Sequence, residues 1–214
     1  MIYSKGRNYL LTHAPKTGGT ALMLALEARA MADDIIVGDT PKGKARAKRQ
    51  KSLQTAGRLW KHATRADLAG LVDGAPFAVS LVRNPWDRVV SYYHWLRAQQ
   101  FTHRAVALAK DETFETFVLT PWLQDSLRAH PYAHYVTDET GVEQCDAFIR
   151  LEHLTDDLAP FEAHLGFKLE VGRANASQRD ADYRGYFSNT TRDVIADVCA
   201  QDIARFGYVF WMHK

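Results

Sequence analysis

Residues 9–28, YLLTHAPKTGGTALMLALEA, pass from an apolar run through a proline and a glycine pair into a second apolar run. NYLLTHAP (8–15) reads as a strand ending at Pro15, and Gly18 and Gly19 open a helix that is expected from Thr20 to about Met31. The unit is therefore β-loop-α, with the outline of a phosphate-binding loop. In the nucleoside-triphosphate version of that loop the order is Gly-x-x-x-x-Gly-Lys-Ser/Thr. Here Lys16 precedes both glycines, so the loop must treat its ligand differently.

The physics of the loop still favours an anion. Two glycines allow a tight turn and close backbone approach, and the helix that follows directs its first N–H groups and the positive end of its dipole at whatever sits there. Pro15, Lys16, Thr17, Gly18, Gly19, Thr20 and Ala21 form the candidate cradle, with Thr17 and Thr20 as hydroxyl donors. From the strand side of the turn Lys16 can reach an oxygen bridging two groups of the bound anion, and would stabilise charge gathering there as a bond breaks. The alternative is a plain turn, because glycine pairs punctuate many chains.

Outward from this unit the same alternation recurs. PFAVSLVRN (76–84) is apolar up to Arg83, as a central strand of a doubly covered parallel sheet should be. Asn84 then suits an N-cap and Pro85 a first helical position. The helix that follows carries Val89, Tyr93 and Leu96 on one face. HATRADLAGLV (62–72) predicts a short helix with Thr64 and Asp67 as a capping box. DTPKGKARAKRQK (39–51) predicts an exposed loop or helix start. Residues 101–144 read as an insertion with helical pieces around ETFETFVL and PWLQDSLRAH. DAFIRLEHL (146–154) predicts a returning strand, and TTRDVIADVCAQDIARFG a last helix stopped by Gly207. Strands alternating with helices imply an α/β, three-layer, P-loop-like fold with a central parallel sheet, and the absence of a linker or repeat implies one domain over 1–214.

A second anion site follows from LVRNPWDRVVSYYHWL. Arg83 falls at a strand's carboxyl end, the edge where open α/β sheets bind ligands, and Ser91 lies about two turns into the helix. A guanidinium and a hydroxyl so placed can grip one phosphate from two sides. The competing reading for Arg83 is a salt bridge at the sheet edge, and for Arg88 a pairing with Asp87 or another nearby carboxylate.

Composition limits the rest. The 27 Lys and Arg against 25 Asp and Glu leave a formal charge of +2, so nothing global points to nucleic acid and any anion site is local. Two separated cysteines, Cys145 and Cys199, argue against a disulfide framework or zinc site and for a reducing compartment. MIYSKGRNYLL is short and broken by Lys5, Arg7 and Asn8, so no secretory signal is read. The most apolar helix, interrupted by Glu27 and Arg29, is too short to span a bilayer. A cytoplasmic protein without a transmembrane segment is expected.

Taken together, APKTGGTAL and VRNPWDRVVSYY resemble the sulfotransferases that use 3′-phosphoadenosine-5′-phosphosulfate (PAPS), in particular the membrane-type carbohydrate sulfotransferases and their short bacterial relatives. The first stretch is similar to the family's 5′-phosphosulfate loop and the second to its 3′-phosphate segment, in which the arginine and the serine eight residues on, here Arg83 and Ser91, hold the 3′-phosphate. KHAT, FIRLEHLTDDL and the Asn175-x-Ser177 and DIARFGY pieces of the ending add support. The resemblance implies in-line transfer of a sulfuryl group from PAPS to a hydroxyl or amine of a carbohydrate, lipid or small-metabolite acceptor, without a metal. Lys16 would then face the leaving 5′-phosphate's bridging oxygen.

His62, in KHAT where related enzymes place a catalytic histidine, is the candidate base, since histidine titrates near neutrality. It reads equally as an exposed helix-start residue. Glu152 is the second candidate, or else a partner of Arg150. His13 reads as a packed strand residue. The basic run 42–51 is either a solvated face or an attractor for an anionic acceptor. A nucleotide-dependent kinase and a catalytically silent nucleotide-binding protein remain as other readings.

Overall fold

A computed structural model describes residues 1–172, 174 and 179–211. These residues divide into two compact units, one of residues 1–82 and 132–175, the other of residues 83–131 and 176–214.

The first unit is built on a five-stranded mixed sheet in the order β3 (Ile35–Ile36), β1 (Ile2–Ser4), β2 (Tyr9–His13), β4 (Phe77–Val82) and β5 (Ala147–Arg150). β1 (Ile2–Ser4) pairs antiparallel with β2 (Tyr9–His13). The helix α1 (Gly19–Glu27) follows β2. Next come β3 (Ile35–Ile36), antiparallel to β1, α2 (Pro41–Gln50) and β4 (Phe77–Val82). β4 lies parallel to β2, with His13 opposite Leu81. The α/β fold with mostly parallel central strands flanked by helices is thus as the alternation implied.

Pleating explains the two faces of the sheet. Successive side chains of β2 point oppositely, so Tyr9 and Leu11 join Leu22, Leu26, Val79, Leu81 and Phe161 on one side, while Leu10 joins Ala63, Leu68, Leu71 and Val72 on the other. The second face is closed by turns. Over 62–72 the expected capping-box bonds do form, Thr64 N–H to Asp67 Oδ2 at 2.9 Å and Asp67 N–H to Thr64 Oγ1 at 3.0 Å. No helix propagates from them: a left-handed Gly70, at φ 83°, breaks the chain within two turns.

The hairpin β1–β2 went unread because KGRN breaks the apolar pattern. That interruption is its turn, closed by Asn8 N–H to Lys5 O at 3.1 Å with Asn8 at φ 50°. α1 also stops short of Met31, where the Asp34 carboxylate accepts the Met31 N–H at 2.8 Å. At the outer edge, β3 is only two residues long. The side-chain amide of Gln50 accepts from Ile36 N–H at 2.7 Å and donates to Ile36 O at 2.9 Å.

In the second unit α3 (Pro85–Arg97) begins where expected, Asn84 Oδ1 accepting the Trp86 N–H at 3.1 Å. Asn84 also donates to the Val209 carbonyl at 3.2 Å. α4 (Arg104–Asp111), α5 (Phe114–Leu119) and α6 (Pro121–Ala129) follow. Tyr93 packs edge-on against Phe114 at 5.4 Å and its hydroxyl donates to the Glu112 carbonyl. The remaining elements of the first unit are β5 (Ala147–Arg150), parallel to β4, then α7 (Leu154–Asp157) and α8 (Ala159–Leu165). The strand expected over 146–154 is therefore four residues, turning into a 3₁₀ segment at Leu151. The single closing helix is two, α9 (Asn189–Val198) and α10 (Ala200–Phe206), parted at Cys199, and Gly207 ends the second at φ 66°. Among the described residues no helix is long and apolar enough to cross a membrane.

Candidate functional site

Because β2, β4 and β5 run parallel, their carboxyl ends share one edge of the sheet. In the first unit the 14–20 loop leaves β2 at that edge. Thr17 is fully buried, and its hydroxyl donates to the Ala14 carbonyl at 2.9 Å. The hydroxyl expected as a ligand donor thus closes the loop on itself, while Thr20 stays half-buried at the start of α1. Gly18 is the N-cap at φ 88° and supplies no side-chain cap, and no acidic residue occupies the first turn of α1. The N–H groups of Gly19 and Thr20 precede the first bond of the turn, Ala21 N–H to the Gly18 carbonyl at 3.0 Å, and can serve a ligand.

Two neighbours fix the glycines. A Cβ on Gly19 would lie 2.1 Å from the His13 ring, and one on Gly18 would lie 2.8 Å from Leu151 Cδ1. Lys16 itself sits at φ 69°. A left-handed lysine costs roughly 1–2 kcal/mol over the ordinary conformation, and such strain is characteristic of functional loops.

His13 is buried under α1, and its Nδ1 has no hydrogen-bond partner among the described residues. Burial, reinforced by neighbouring positive charge including His62 and Lys61, holds its imidazole well below the usual histidine range. His13 is therefore a neutral packing residue. Its backbone carbonyl lies 3.0 Å from His62 Nδ1, and the two rings meet edge-on at 4.8 Å. A carbonyl can only accept, so Nδ1 carries a proton in this contact, and in the neutral ring the lone pair is then on Nε2. Trp60 packs edge-on against the same ring at 5.2 Å. Lys61, next in the chain, donates to Asp39 Oδ2 at 2.5 Å and is spent on that ion pair. His62 thus belongs to the loop's immediate surroundings.

Glu152 enters the same unit through its neighbour. Leu151 packs on Gly18, and Glu152 follows it, half-buried in the 3₁₀ turn after β5. Arg150 forks onto Asp157 with bonds of 2.8 and 2.9 Å, which holds the Asp157 carboxyl below its usual range.

In the second unit Asp87 and Ser91, four residues apart, share a face of α3, and Arg83 lies just before the N-cap Asn84. Arg83 gives Asp87 Oδ2 two bonds, 3.1 Å from Nε and 2.8 Å from Nη2. The other carboxylate oxygen accepts from Arg179. Asp87 is fully buried, and the side chains of Arg83 and Arg179 are 10% and 6% exposed. Two guanidinium groups thus share one buried carboxylate. Guanidinium groups held at a strand's carboxyl end in this way suit an anion. Ser91 is buried beside them in α3.

Arg179 was missed from sequence. Its pairing with Asp87 spans 92 positions, and nothing periodic surrounds it. Asn175 and Ser177 lie outside the described residues.

No family model and no curated protein matches the chain. Among solved structures it is similar to the crystal structure of mouse sulfotransferase SULT7A1 complexed with PAP, at 16% identity and a TM-score of 0.52 over 94% of this chain and 85% of that one. The likeness extends over nearly the whole chain, and at that identity what the two share is the sulfotransferase fold.

Proposed function

We propose that residues 1–214 act as one sulfotransferase domain that moves a sulfuryl group from PAPS to the hydroxyl or amine of a carbohydrate, lipid or small-metabolite acceptor in the cytoplasm. The observation that carries this reading is the 14–20 loop. A strained lysine precedes two fixed glycines and uncapped N–H groups, in a fold shared with a sulfotransferase crystallised with PAP.

Pro15 to Ala21 would receive the donor's 5′ end, with Lys16 beside the oxygen that bridges phosphorus and sulfur. Arg83 and Ser91 would take the 3′-phosphate, joined by Arg179, with Asp87 orienting both guanidinium groups. The acceptor oxygen attacks sulfur as the bridging S–O bond breaks. Its proton passes to His62 Nε2, or to Glu152 in the second version, and the bridging oxygen leaves as part of the nucleotide's 5′-phosphate with Lys16 offsetting its charge.

Isothermal calorimetry tests the donor half. The protein should bind 3′-phosphoadenosine-5′-phosphate without Mg²⁺, and Lys16→Gly, which suits φ 69° while removing the ammonium, should bind it about 10–100-fold more weakly. Absence of binding, or Mg²⁺-dependent ATP hydrolysis, would overturn the reading. Transfer of labelled sulfate that is lost in His62→Ala but kept in Glu152→Gln, with nucleotide binding intact in both, would assign the base.

A further inference from the structure

Four planar groups stand in file between the surface and the 14–20 loop, all in the first unit. The guanidinium of the exposed Arg58 lies over the Trp60 ring at 5.0 Å, and that ring meets His62 edge-on at 5.2 Å. His62 in turn meets the His13 ring edge-on at 4.8 Å, and the His13 ring packs on Gly19 at the start of α1. Arg58, Trp60 and His62 alternate along the chain, with Leu59 and Lys61 between them.

The backbone that carries the file is held by other contacts. Lys61 is anchored through its ion pair with Asp39, and Ala63 is fully buried, its N–H returning to the Trp60 carbonyl at 3.1 Å. These contacts fix where the His62 backbone stands, but not its ring, which turns about two further torsions. A flip about the second would put Cδ2 where Nδ1 now stands, 3.0 Å from the His13 carbonyl, and break that bond. One hydrogen bond between neutral groups is a modest restraint. An imidazole released from it carries its proton on either nitrogen and no longer aims Nε2 in one direction.

Trp60 supplies a wall. It is half-buried and packs against the core cluster on the second face of the sheet, as Val37 and Leu59 do. Packing alone would ask only for an apolar side chain. An indole adds a rigid flat ring, and here that ring is steadied by the core and by the Arg58 cation.

We propose that Trp60 is a positioning residue for the base: its ring keeps the His62 imidazole turned so that Nδ1–H stays on the His13 carbonyl and Nε2 is the nitrogen offered to the acceptor's proton. The proposal rests on the sulfotransferase reading in which His62 takes that proton, and it deepens that reading. His13 both accepts the orienting bond and packs on Gly19, so the base and the loop are aligned on one residue, with Trp60 closing the file from outside.

The test reads the ring directly. In ¹⁵N-labelled protein at about pH 8.5, long-range proton–nitrogen spectra distinguish the two neutral tautomers, and His62→Gln assigns the signal. Wild type should show the Nδ1–H form. Trp60→Leu, which keeps an apolar side chain against the core, should raise the Nε2–H form about 10-fold, the factor that one aromatic contact is worth. Trp60→Phe should keep the wild-type signal, and all three proteins should bind 3′-phosphoadenosine-5′-phosphate equally. An unchanged tautomer in Trp60→Leu, an Nε2–H form already dominant in wild type, or a Trp60→Phe signal like that of Trp60→Leu would overturn the proposal. Should Trp60→Leu melt early, Arg58→Gln decides instead: this exposed change should raise the Nε2–H form about 2-fold, and no rise would overturn the file. Loss of nucleotide binding in Trp60→Leu alone would assign the ring to the loop's structure and overturn the proposal as well. Absence of nucleotide binding in wild type would strike the sulfotransferase reading and take the base with it, so the two failures are told apart.

Discussion

The loop at 14–20 and the segment at 83–91 both present positive charge where a strand ends, yet they are made of different material. The loop offers backbone N–H groups and a helix dipole, shaped by two glycines and a strained lysine. The segment offers buried side chains, two guanidinium groups balanced on one carboxylate. Backbone cannot be mutated away, so the loop is sensitive to volume. The segment is sensitive to charge.

The largest effect should come from breaking that charge balance. Asp87→Ala removes the buried carboxylate that Arg83 and Arg179 both bond, and a cost of about 3–5 kcal/mol is expected, read as a fall in the urea midpoint. Recovery of much of that loss at saturating sulfate would show that an anion can stand in for the carboxylate. A change below about 1 kcal/mol would mean the cluster is solvated.

On the loop's side the matching change is Gly19→Ala. Its methyl would meet the His13 ring at 2.1 Å, and overpacking of this kind costs about 1–3 kcal/mol. The melting temperature should drop, and a smaller ring-site residue in the double variant His13→Ala/Gly19→Ala should restore part of it. Additive losses in the two single variants and their combination would deny the contact.

The smallest effect is one of pH. His13 is neutral in the fold because burial holds its pKa down, while the unfolded chain takes up the proton near 6.5. Its contribution to stability is therefore complete above about pH 6.5 and declines as pH falls below it, by up to about 1.4 kcal/mol per unit until the folded pKa is reached. Urea midpoints at pH 7.5 and 5.5 should differ more in wild type than in His13→Gln. An equal difference would place the acid sensitivity elsewhere.

How far the sequence could be read follows from what each feature depends on. The β-loop-α unit, the strand at 77–82 and the start of α3 were legible because their signals are local: an apolar run, a glycine pair, Asn-Pro at a helix start. β1 was not, since three residues carry no period and the Lys-Gly-Arg-Asn turn looked like an interruption. The helix expected over 62–72 had the right opening residues, but packing on the sheet favoured turns. Lys16, Arg83 and Ser91 could be named as candidates from spacing. The carbonyl of His13 that orients His62, and the Asp87 that gathers Arg179, could not, because both relations join residues far apart in the chain.

The side chain of Gln50 closes the outer edge of the sheet. By bonding both polar groups of Ile36, its amide takes the place that another strand's peptide would occupy. An unpaired edge is a template for recruiting a second chain. One glutamine on a cationic helix thus sets a limit on association: the sheet ends there, and growth by strand addition from copy to copy has no backbone group of Ile36 on which to begin.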